Sequence, residues 1–486
     1  MRVGSLPLQP VAMVTTRLAD ERVIVVLCLV FALALRVFLA CTTPPWQGPD
    51  EPKHFEYTLT LMDKRATLWA ERRILSLDDT SPALERQIIA SMAKYHYWEY
   101  LGGQAPVVLP ATFFDLWGWK SLRLDRPSLY YFVTAVALLP FQSANLETQL
   151  LVVRLLSAVL SAITVVVAYL AAKELLPDDR FIPVISAAFV AALPMHAFIG
   201  GTVNSDNLVT LLGSVVILGL AIGFRRGFTV WSWALVFGAL VLALATKKVA
   251  VGLLPAVLLA AVLWLASLRG RHLLLAVVGT GMAGALLGMI VAADLGGIRG
   301  KVAAYALNES YQLDMLLHVP IGSPETRALV TGHLDWLFRS FWGIFGWFTI
   351  SLSPRLFLLL YMVTLLCGLG LLIWLVRSVF DRLKRHAGRS GAEVRIVGVF
   401  LLAVVSMIVL AVAERLAYFS PSEVPQGRYL FVTVAPIAVL YALGLRALLP
   451  SRLLGAWRVA PLVILALVAL DLVAYTQFIR PYYFTR

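Results

Sequence analysis

Two adjacent carboxylates, Asp50 and Glu51, lie directly after the first long apolar run of the chain. Carboxylates beside a membrane are costly to keep unless water, a cation or a reaction occupies them. They could deprotonate an acceptor hydroxyl, coordinate a divalent cation, or do both. The structural alternative, compatible with either, is that Asp50 caps a helix whose first turn holds Glu51 and Pro52. We predict that the chemical centre lies here.

A third carboxylate, Asp206, follows Asn204 where another apolar run begins. As structure, this segment reads as a helix N-cap. As chemistry, a short loop could hold Asp206 against Asp50, and the pair would bind a metal or fix a sugar hydroxyl. A divalent cation is therefore a candidate cofactor, with Asp50 and Asp206 as its candidate ligands. His54 and His96 are weaker candidates, because lone histidines beside aromatic residues are more often packed and hydrogen-bonded.

Three basic residues lie at the ends of apolar runs on one predicted side. Lys247 and Lys248 separate two runs, and Arg428 opens another. Either lysine could simply extend to the membrane interface. Three cations at one membrane depth nevertheless suit a lipid phosphate, to which Arg donates as a fork and Lys as a point charge. The predicted substrate contacts around these groups are His54, Asn204, Gln426 and Tyr429.

The composition indicates a polytopic helical membrane protein. Of the 486 residues, 60% are hydrophobic and 14% are charged, and the apolar residues fall into continuous runs long enough to cross about 30 Å of hydrocarbon. A β-barrel would need short alternating segments, which these runs lack. The eleven predicted spans are 23–41, 150–173, 181–200, 206–224, 229–246, 249–267, 272–293, 355–376, 394–413, 428–446 and 459–479.

The short loops rich in Lys and Arg alternate with poorer loops, which predicts a cytoplasmic N-terminus and an external C-terminus. Pro127–Phe141 cannot cross without breaking this alternation, so we predict a juxtamembrane helix on the outer surface. The cytoplasmic anchors and the first outer loop account for the net charge of +13. Lipid headgroups are thus the expected partner and nucleic acid is not. Three cysteines are too few for a disulfide framework.

Two segments of this single membrane domain, 1–486, are too long to be simple connections, and both are predicted to lie outside. The first is 42–149, and the second is 294–354. The first contains the segment Pro49–Phe55 around Asp50 and Glu51, which we call the acidic motif. Long ordered loops usually carry function. The second loop holds aromatic residues in a pattern that suits an amphipathic helix at the headgroup level. These residues are Trp336, Phe341, Trp342, Phe345 and Trp347.

The order of these motifs and their membrane side resemble the GT-C superfamily of glycosyltransferases. The form Pro-Asp-Glu-Pro-x-His-Phe around Asp50, with the segment Gln426–Tyr429, looks most like a poorly characterised bacterial branch. The similarity covers roughly the first 270 residues and then that later segment. The matching positions are Asp50, Glu51, Arg126, Pro127, Ser128, Leu129, Tyr130, Tyr131, Arg154, Asn204, Ser205, Asp206, Thr246 and Lys247.

The resemblance implies an enzyme of the bacterial inner membrane that transfers a sugar, with inversion, from a polyprenyl-phosphate donor at the extracytoplasmic face. The acceptor would be a hydroxyl of a glycan, lipid or protein. By analogy, Asp50 is the base that activates the acceptor, and Asp206 assists through a metal or the sugar hydroxyls. Other branches carry His-Pro-Pro-x-Tyr-Tyr where this chain has the segment 125–131. The phosphate contacts implied are Lys247, Lys248, Arg428 and Arg126.

Two other classes of protein compete with this interpretation. A secondary transporter or lipid flippase would place ionisable residues near the midplane of the membrane, as Arg36 and Asp471 are placed here. A noncatalytic scaffold would leave Asp50 and Glu51 as helix caps. Most polar groups, however, gather at the outer ends of the spans, and no nucleotide-binding motif is visible. These features favour the transferase.

Overall fold

The chain was analysed as a computed structural model, which describes residues 9–71, 79, 81–117, 128–268, 314–320, 322–384, 390–418, 424–449 and 459–484. These residues are almost entirely helical, as predicted. The helices of the first half are α1 (Gln9–Thr42), α2 (Glu51–Ala70), α3 (Pro82–Lys94), α4 (Tyr97–Tyr100), α5 (Phe113–Trp117), α6 (Leu129–Leu138), α7 (Leu146–Leu175), α8 (Phe181–Ala191), α9 (Pro194–Gly200), α10 (Asp206–Arg226), α11 (Val230–Thr246) and α12 (Leu254–Ser267).

The second half adds a small antiparallel hairpin and further long helices. Short 3₁₀ segments, Lys248–Leu253 and Gly427–Thr433, lead into α12 and α16. The remaining elements are α13 (Pro324–Gly343), β1 (Ile344–Phe345), β2 (Ile350–Ser351), α14 (Pro354–Lys384), α15 (Ser390–Leu416), α16 (Val434–Leu448), α17 (Ala460–Ala474) and α18 (Arg480–Phe484).

The described residues include eight helices long and apolar enough to cross a membrane, or nine if the bent pair α8–α9 is one span. These nine coincide with nine of the eleven predicted spans. A tenth, α11, is apolar but has only 17 residues, about 25 Å at the rise of an α-helix. The eleventh prediction, 272–293, lies outside the described residues. Leu129–Phe141 is too short to span, in keeping with the predicted juxtamembrane helix.

The helix α8–α9 bends by 55° where Pro194 interrupts it. Proline removes a backbone donor and forces the preceding residue out of the helical conformation. Buried Arg36 donates from Nη1 to the Ala191 carbonyl at 3.0 Å and from Nη2 to the Val190 carbonyl at 3.0 Å. The guanidinium thus satisfies the carbonyl groups that the break would otherwise leave unpaired.

Two sets of ion pairs mark opposite ends of the helix bundle. At one end, the C-terminal ends of α7, α10 and α16 meet the start of α15 and the N-terminal part of α1. The pairs there are Lys173–Glu21, Arg226–Glu174, Arg225–Glu393 and Arg446–Asp179. At the other end, the C-terminus of α11 meets the start of α10 and the 3₁₀ segment Gly427–Thr433. The acidic motif lies at this second end.

The second long loop contains α13, but three of the aromatic residues predicted to lie at headgroup level pack inside the protein. Phe341, Trp342 and Phe345 of α13 and β1 are almost fully buried and pack against aromatic residues of the bundle, among them Phe431 and Phe189. Trp336 and Trp347 are half-buried. The prediction was wrong for the three buried side chains because hydropathy does not distinguish a membrane-facing aromatic residue from one packed inside the protein.

Candidate active site

Four charged side chains from four segments meet at one end of the bundle. Arg428 donates from Nη2 to Asp50 Oδ2 at 2.7 Å, and its Nε lies 3.5 Å from Asp206 Oδ2. Lys247 donates from Nζ to Asp206 Oδ1 at 2.6 Å. The order Asp50–Arg428–Asp206–Lys247 therefore alternates in charge. The structure brings together four residues that the sequence predicted to act at one site, and we call them the charged cluster.

Asp50 occupies a special backbone position at the start of α2. Its φ of 60° is in the left-handed region, where Asp is better tolerated than most residues. Its carbonyl accepts from the amides of Lys53 and His54, both at 3.1 Å, while the carboxylate faces Arg428. The side chain is 31% exposed, against 5% for Arg428. Burial alone would raise the pKa of Asp50, but the surrounding positive charges, that of Arg428 first, and the hydrogen bond from Arg428 together outweigh burial and lower that pKa to about 2.

Glu51, predicted as a second catalytic carboxylate, points away from the charged cluster and into the protein. It is fully buried and receives two hydrogen bonds from Arg154, at 2.8 Å and 2.6 Å. The amides of Trp46 and Val203 also donate to it, at 3.0 Å and 3.1 Å. Adjacent residues at the start of a helix point in different directions, so only one of the two carboxylates reaches the charged cluster.

Asn204, predicted to touch substrate, is also fully buried. Its Oδ1 accepts from the Asp206 amide at 2.9 Å, and its Nδ2 donates to the Pro49 carbonyl at 3.3 Å. It thereby ties the loop that carries Asp50 to the start of α10, which carries Asp206. Gly48 in the same loop packs closely against Thr202, because a Cβ added at Gly48 would lie only 2.7 Å from Thr202 Cβ.

His54 lies on the first turn of α2, and its Nδ1 is 2.5 Å from the Tyr131 hydroxyl. Burial lowers the pKa of His54 to about 3, and the positive charges of Lys247 and Arg428 act in the same direction. The imidazole is therefore neutral near pH 7. Tyr131 also stacks on Tyr57, with ring centroids 4.1 Å apart. The apolar helix α6 thus presents part of the wall beside the acidic motif.

Lys53 is a feature that the sequence interpretation missed. It is 1% exposed, and its Nζ lies 4.2 Å from the ring centroid of Trp117. Burial lowers the pKa of Lys53 to about 8, against the opposing charges of Asp50 and Glu56. The position of Lys53 inside the acidic motif could have marked it as a site residue. No local pattern in the sequence, however, connects Lys53 with Trp117.

The remaining predicted residues divide between the site and its surroundings. The ring of Tyr429 lies 5.1 Å from Lys247 Nζ, and its hydroxyl is 3.4 Å from Arg415 Nη2. Gln426 is half-buried directly before the 3₁₀ segment. Lys248 instead pairs with Glu414 at 3.2 Å, because extended backbone at Lys247 turns the two lysines apart. Arg126 lies outside the described residues.

Three polar atoms around the charged cluster have no hydrogen-bond partner in the part of the chain that the structure describes. They are Arg428 Nε, Asp206 Oδ2 and Gln426 Oε1. Buried polar groups are nearly always satisfied in native proteins by protein, water or ligand. Arg428 Nε and Asp206 Oδ2 lie 3.5 Å apart and face each other as an ion pair. Gln426 Oε1 is therefore the polar atom here that water or a ligand would satisfy.

The predicted metal site fits the donor set poorly. Arg428 lies between Asp50 and Asp206, in the position a divalent cation would need. The described residues contain no group of three or more His, Cys, Asp or Glu side chains suited to hold a metal. A guanidinium between the two carboxylates already neutralises them, so we derive no chemical step through a metal.

The whole chain was compared with known proteins. No family model and no curated protein matches it. Among solved structures, it is similar to the archaeal oligosaccharyltransferase AglB from Archaeoglobus fulgidus, described in complex with an inhibitory peptide and a dolichol-phosphate, with a TM-score of 0.50 and 13% sequence identity. The match covers 95% of this chain and 55% of the archaeal chain.

The apo form of the Archaeoglobus fulgidus oligosaccharyltransferase gives 14% identity and a TM-score of 0.48. The chain thus spans about half the length of these solved structures. At such low identity, the likeness concerns the arrangement of helices and not the chemistry. The chain is a multi-pass membrane protein with the GT-C-like fold that the sequence predicted.

Proposed function

We propose that this protein is a membrane glycosyltransferase that moves a sugar from a polyprenyl-phosphate donor to a hydroxyl acceptor, with inversion, at the extracytoplasmic face of a bacterial inner membrane. The observation that carries the proposal is the charged cluster, in which two cations and two carboxylates from four segments meet at one end of the helix bundle. The dolichol-phosphate described with the archaeal protein of similar fold belongs to the same chemical class as the proposed donor.

The chemistry needs a base for the acceptor and fixed charge for the leaving group. Asp50 takes the proton of the acceptor hydroxyl as the acceptor oxygen attacks the anomeric carbon. The bond from that carbon to the phosphate oxygen breaks, and its electron pair leaves with the lipid phosphate. Arg428 and Lys247 stabilise the departing charge. A single displacement from the opposite face inverts the anomeric configuration.

Asp206 acts in this proposal as a positioning residue. Its two oxygens face Lys247 and Arg428, at 2.6 Å and 3.5 Å, so it holds both cations where a phosphate can reach them. Glu51 and Asn204 support the same geometry from inside the protein. Glu51 and Asn204 were predicted to contact substrate, but both side chains are fully buried. We therefore assign both to positioning.

The transporter alternative rested on Arg36 and Asp471. All three nitrogen groups of Arg36 are engaged, including a hydrogen bond from Nε to Ser161 Oγ at 2.8 Å. Its role at the helix break explains its place in the membrane without any transported substrate. Asp471 keeps one oxygen unpaired within the described residues, which by itself favours neither function. The polar residues that do converge lie at the end of the bundle.

The proposal is tested with the purified full chain in nanodiscs, a panel of radiolabelled polyprenyl-phosphate sugars, and an extract of envelope glycans and lipids as acceptor. Asp50→Asn preserves shape but removes the base, so we expect transfer to fall by about 10²–10⁴. Asp63→Asn changes an exposed carboxylate about three turns further along α2; it is the matched control and should behave as wild type. Near wild-type turnover in Asp50→Asn would remove Asp50 from the catalytic role.

A further inference from the structure

A cleft of about 500 Å³ lies between α13 and the segment before the 3₁₀ turn at Gly427. His333 and Trp336 of α13 line it together with Val424. Ser340, two turns further along α13, accepts a hydrogen bond from the Gly427 amide at 2.8 Å. His333 precedes Ser340 by seven residues, so it lies about 10 Å along α13 from the contact that holds the segment of Arg428.

The cleft contains buried polar groups that have no hydrogen-bond partner in the described part of the chain. His333 is 2% exposed, and neither of its ring nitrogens has a hydrogen-bond partner among the described residues. The indole N–H of Trp336 is likewise unpaired there. Such groups are costly to bury. Two neighbouring side chains in this state, both lining one cleft, point to a ligand that both donates and accepts hydrogen bonds.

The charges of the lining select the class of ligand. Glu325 and Asp335 are acidic, and the described lining residues include no Lys or Arg, which disfavours phosphate. Asp335 is already engaged by Arg339 at 2.8 Å and by the Tyr361 hydroxyl at 2.5 Å. Burial lowers the pKa of His333, and the charge of Arg415 lowers it further, so the ring is neutral at pH 7 and offers one donor and one acceptor.

The apolar part of the lining completes the match. Leu329, Ala328 and Val424 provide aliphatic surface beside the Trp336 ring. Neutral sugars carry hydroxyls that donate and accept and also a face of C–H groups that packs on aromatic rings. We propose that this cleft binds a neutral sugar unit, in a subsite separate from the place where the sugar is transferred.

Because of its separation from the charged cluster, the cleft fits a sugar unit one or more residues away from the reacting one. This inference rests on the proposed function for its biological meaning, but not for its test. The sugar unit has two sources, an acceptor glycan or a donor that carries more than one sugar. Both present the same chemistry to His333 and Trp336.

The test uses saturation-transfer-difference NMR on the full chain in nanodiscs with maltose, cellobiose and lactose at millimolar concentration. Wild type should give a signal with at least one of them. His333→Phe and Trp336→Phe should each weaken binding roughly two- to tenfold, the loss expected for one neutral hydrogen bond. The matched control is His318→Ala, since His318 is 77% exposed and lies outside the cleft. His333→Gln, which keeps a donor and an acceptor, should restore part of the affinity.

Binding of dodecyl phosphate, which reports the charged cluster, separates failure of this inference from failure of the proposed function. It should be unchanged in His333→Phe, while Arg428→Ala should leave disaccharide binding unchanged. Kinetics of His333→Phe with an active donor and acceptor then identify the source of the sugar unit. A raised KM for the acceptor shows that the cleft binds the acceptor glycan, and a raised KM for the donor shows that it binds the donor. Absence of any wild-type disaccharide signal would overturn the subsite, as would unaltered binding in both the His333→Phe and Trp336→Phe variants.

Discussion

At the scale of single residues, the charged cluster neutralises itself when no substrate is bound. Asp50 has a pKa near 2 because Arg428 lies against it, and a carboxylate with so low a pKa is a weak base. A donor phosphate would compete with Asp50 for the Arg428 fork. Once Arg428 turns to the phosphate, the pKa of Asp50 rises toward its ordinary value. Donor binding would therefore make Asp50 a stronger base at the stage when it must accept the proton of the acceptor hydroxyl.

The pH dependence of the reaction tests this coupling. In the free enzyme the low pKa keeps Asp50 ionised down to about pH 2. Between neutral pH and pH 2, protonation of Asp50 should therefore not lower kcat/KM for the donor. The donor-bound enzyme should protonate Asp50 nearer its ordinary pKa of about 4. We therefore expect the acid limb of kcat at a higher pH than that of kcat/KM. Coincident limbs would show that Arg428 stays on Asp50 during the reaction.

The two lysines at the α11 junction provide a matched pair for the phosphate contact. Arg428→Ala and Lys247→Ala should each weaken binding of a polyprenyl phosphate, because one charge-assisted contact contributes about 1.5–3 kcal/mol, or roughly ten- to a hundredfold. Arg428→Lys should recover part of this, since Lys keeps the charge but loses the fork. Lys248→Ala is the control, because Lys248 pairs with Glu414. Equal effects of the two lysine variants in a lipid-binding titration would refute the proposed contact between Lys247 and the lipid phosphate.

The same scale shows where interpretation of the sequence reaches its limit. The motif identified Asp50 and Glu51 together, but it could not tell which faces the site and which receives Arg154. That distinction depends on the direction of two side chains at the first turn of α2, which follows from tertiary contacts 100 and more residues away. Lys53 escaped notice for the same reason, since Trp117 is distant in sequence.

At the scale of elements, close backbone packing fixes the 3₁₀ segment that carries Arg428. An added Cβ at Gly427 would lie 2.0 Å from the Phe341 amide nitrogen, so α13 and this segment approach as closely as their backbones permit. Backbone atoms cannot move aside as the end of a flexible side chain can. The position of Arg428 therefore depends on the absence of a side chain at the preceding residue.

Gly427→Ala should for this reason both destabilise the protein and weaken the phosphate site. We expect a loss of about 1–3 kcal/mol, the usual cost of overpacking, together with weaker polyprenyl-phosphate binding. Gly368→Ala in α14 is the matched control, since an added Cβ meets nothing within 4 Å there and alanine favours a helix. Thermal melting in nanodiscs measures both variants. A melting temperature and affinity like those of wild type in Gly427→Ala would show that α13 can shift without cost.

Among the elements, long apolar helices were predictable and their interruptions were not. Hydropathy placed 181–200 as one span, yet the helix breaks before Pro194. The proline was visible in the sequence, but a proline in a membrane helix can kink it slightly or break it, depending on what satisfies the freed carbonyls. Here that partner is Arg36 from α1, which no local pattern indicates.

At the scale of the whole molecule, charge separates the bundle into two ends. The predicted cytoplasmic anchors Lys173, Arg226 and Arg446 form ion pairs at one end, and the charged cluster occupies the other. The alternation of Lys- and Arg-rich loops sufficed to predict this division, because every span reverses the direction of the chain. Which end faces the cytoplasm is a separate question, since it depends on the membrane and not on the internal packing.

Cysteine labelling in spheroplasts tests the predicted orientation. The labelled positions must be exposed, and Cys41→Ser first removes the exposed native cysteine. In that background Val107→Cys reports the first long loop, and Asp178→Cys reports the connection between α7 and α8; both residues are exposed. We expect a membrane-impermeant maleimide to label Val107→Cys in intact spheroplasts and Asp178→Cys only after permeabilisation. The reverse pattern would place the charged cluster in the cytoplasm, and labelling of both from outside would contradict the predicted spans.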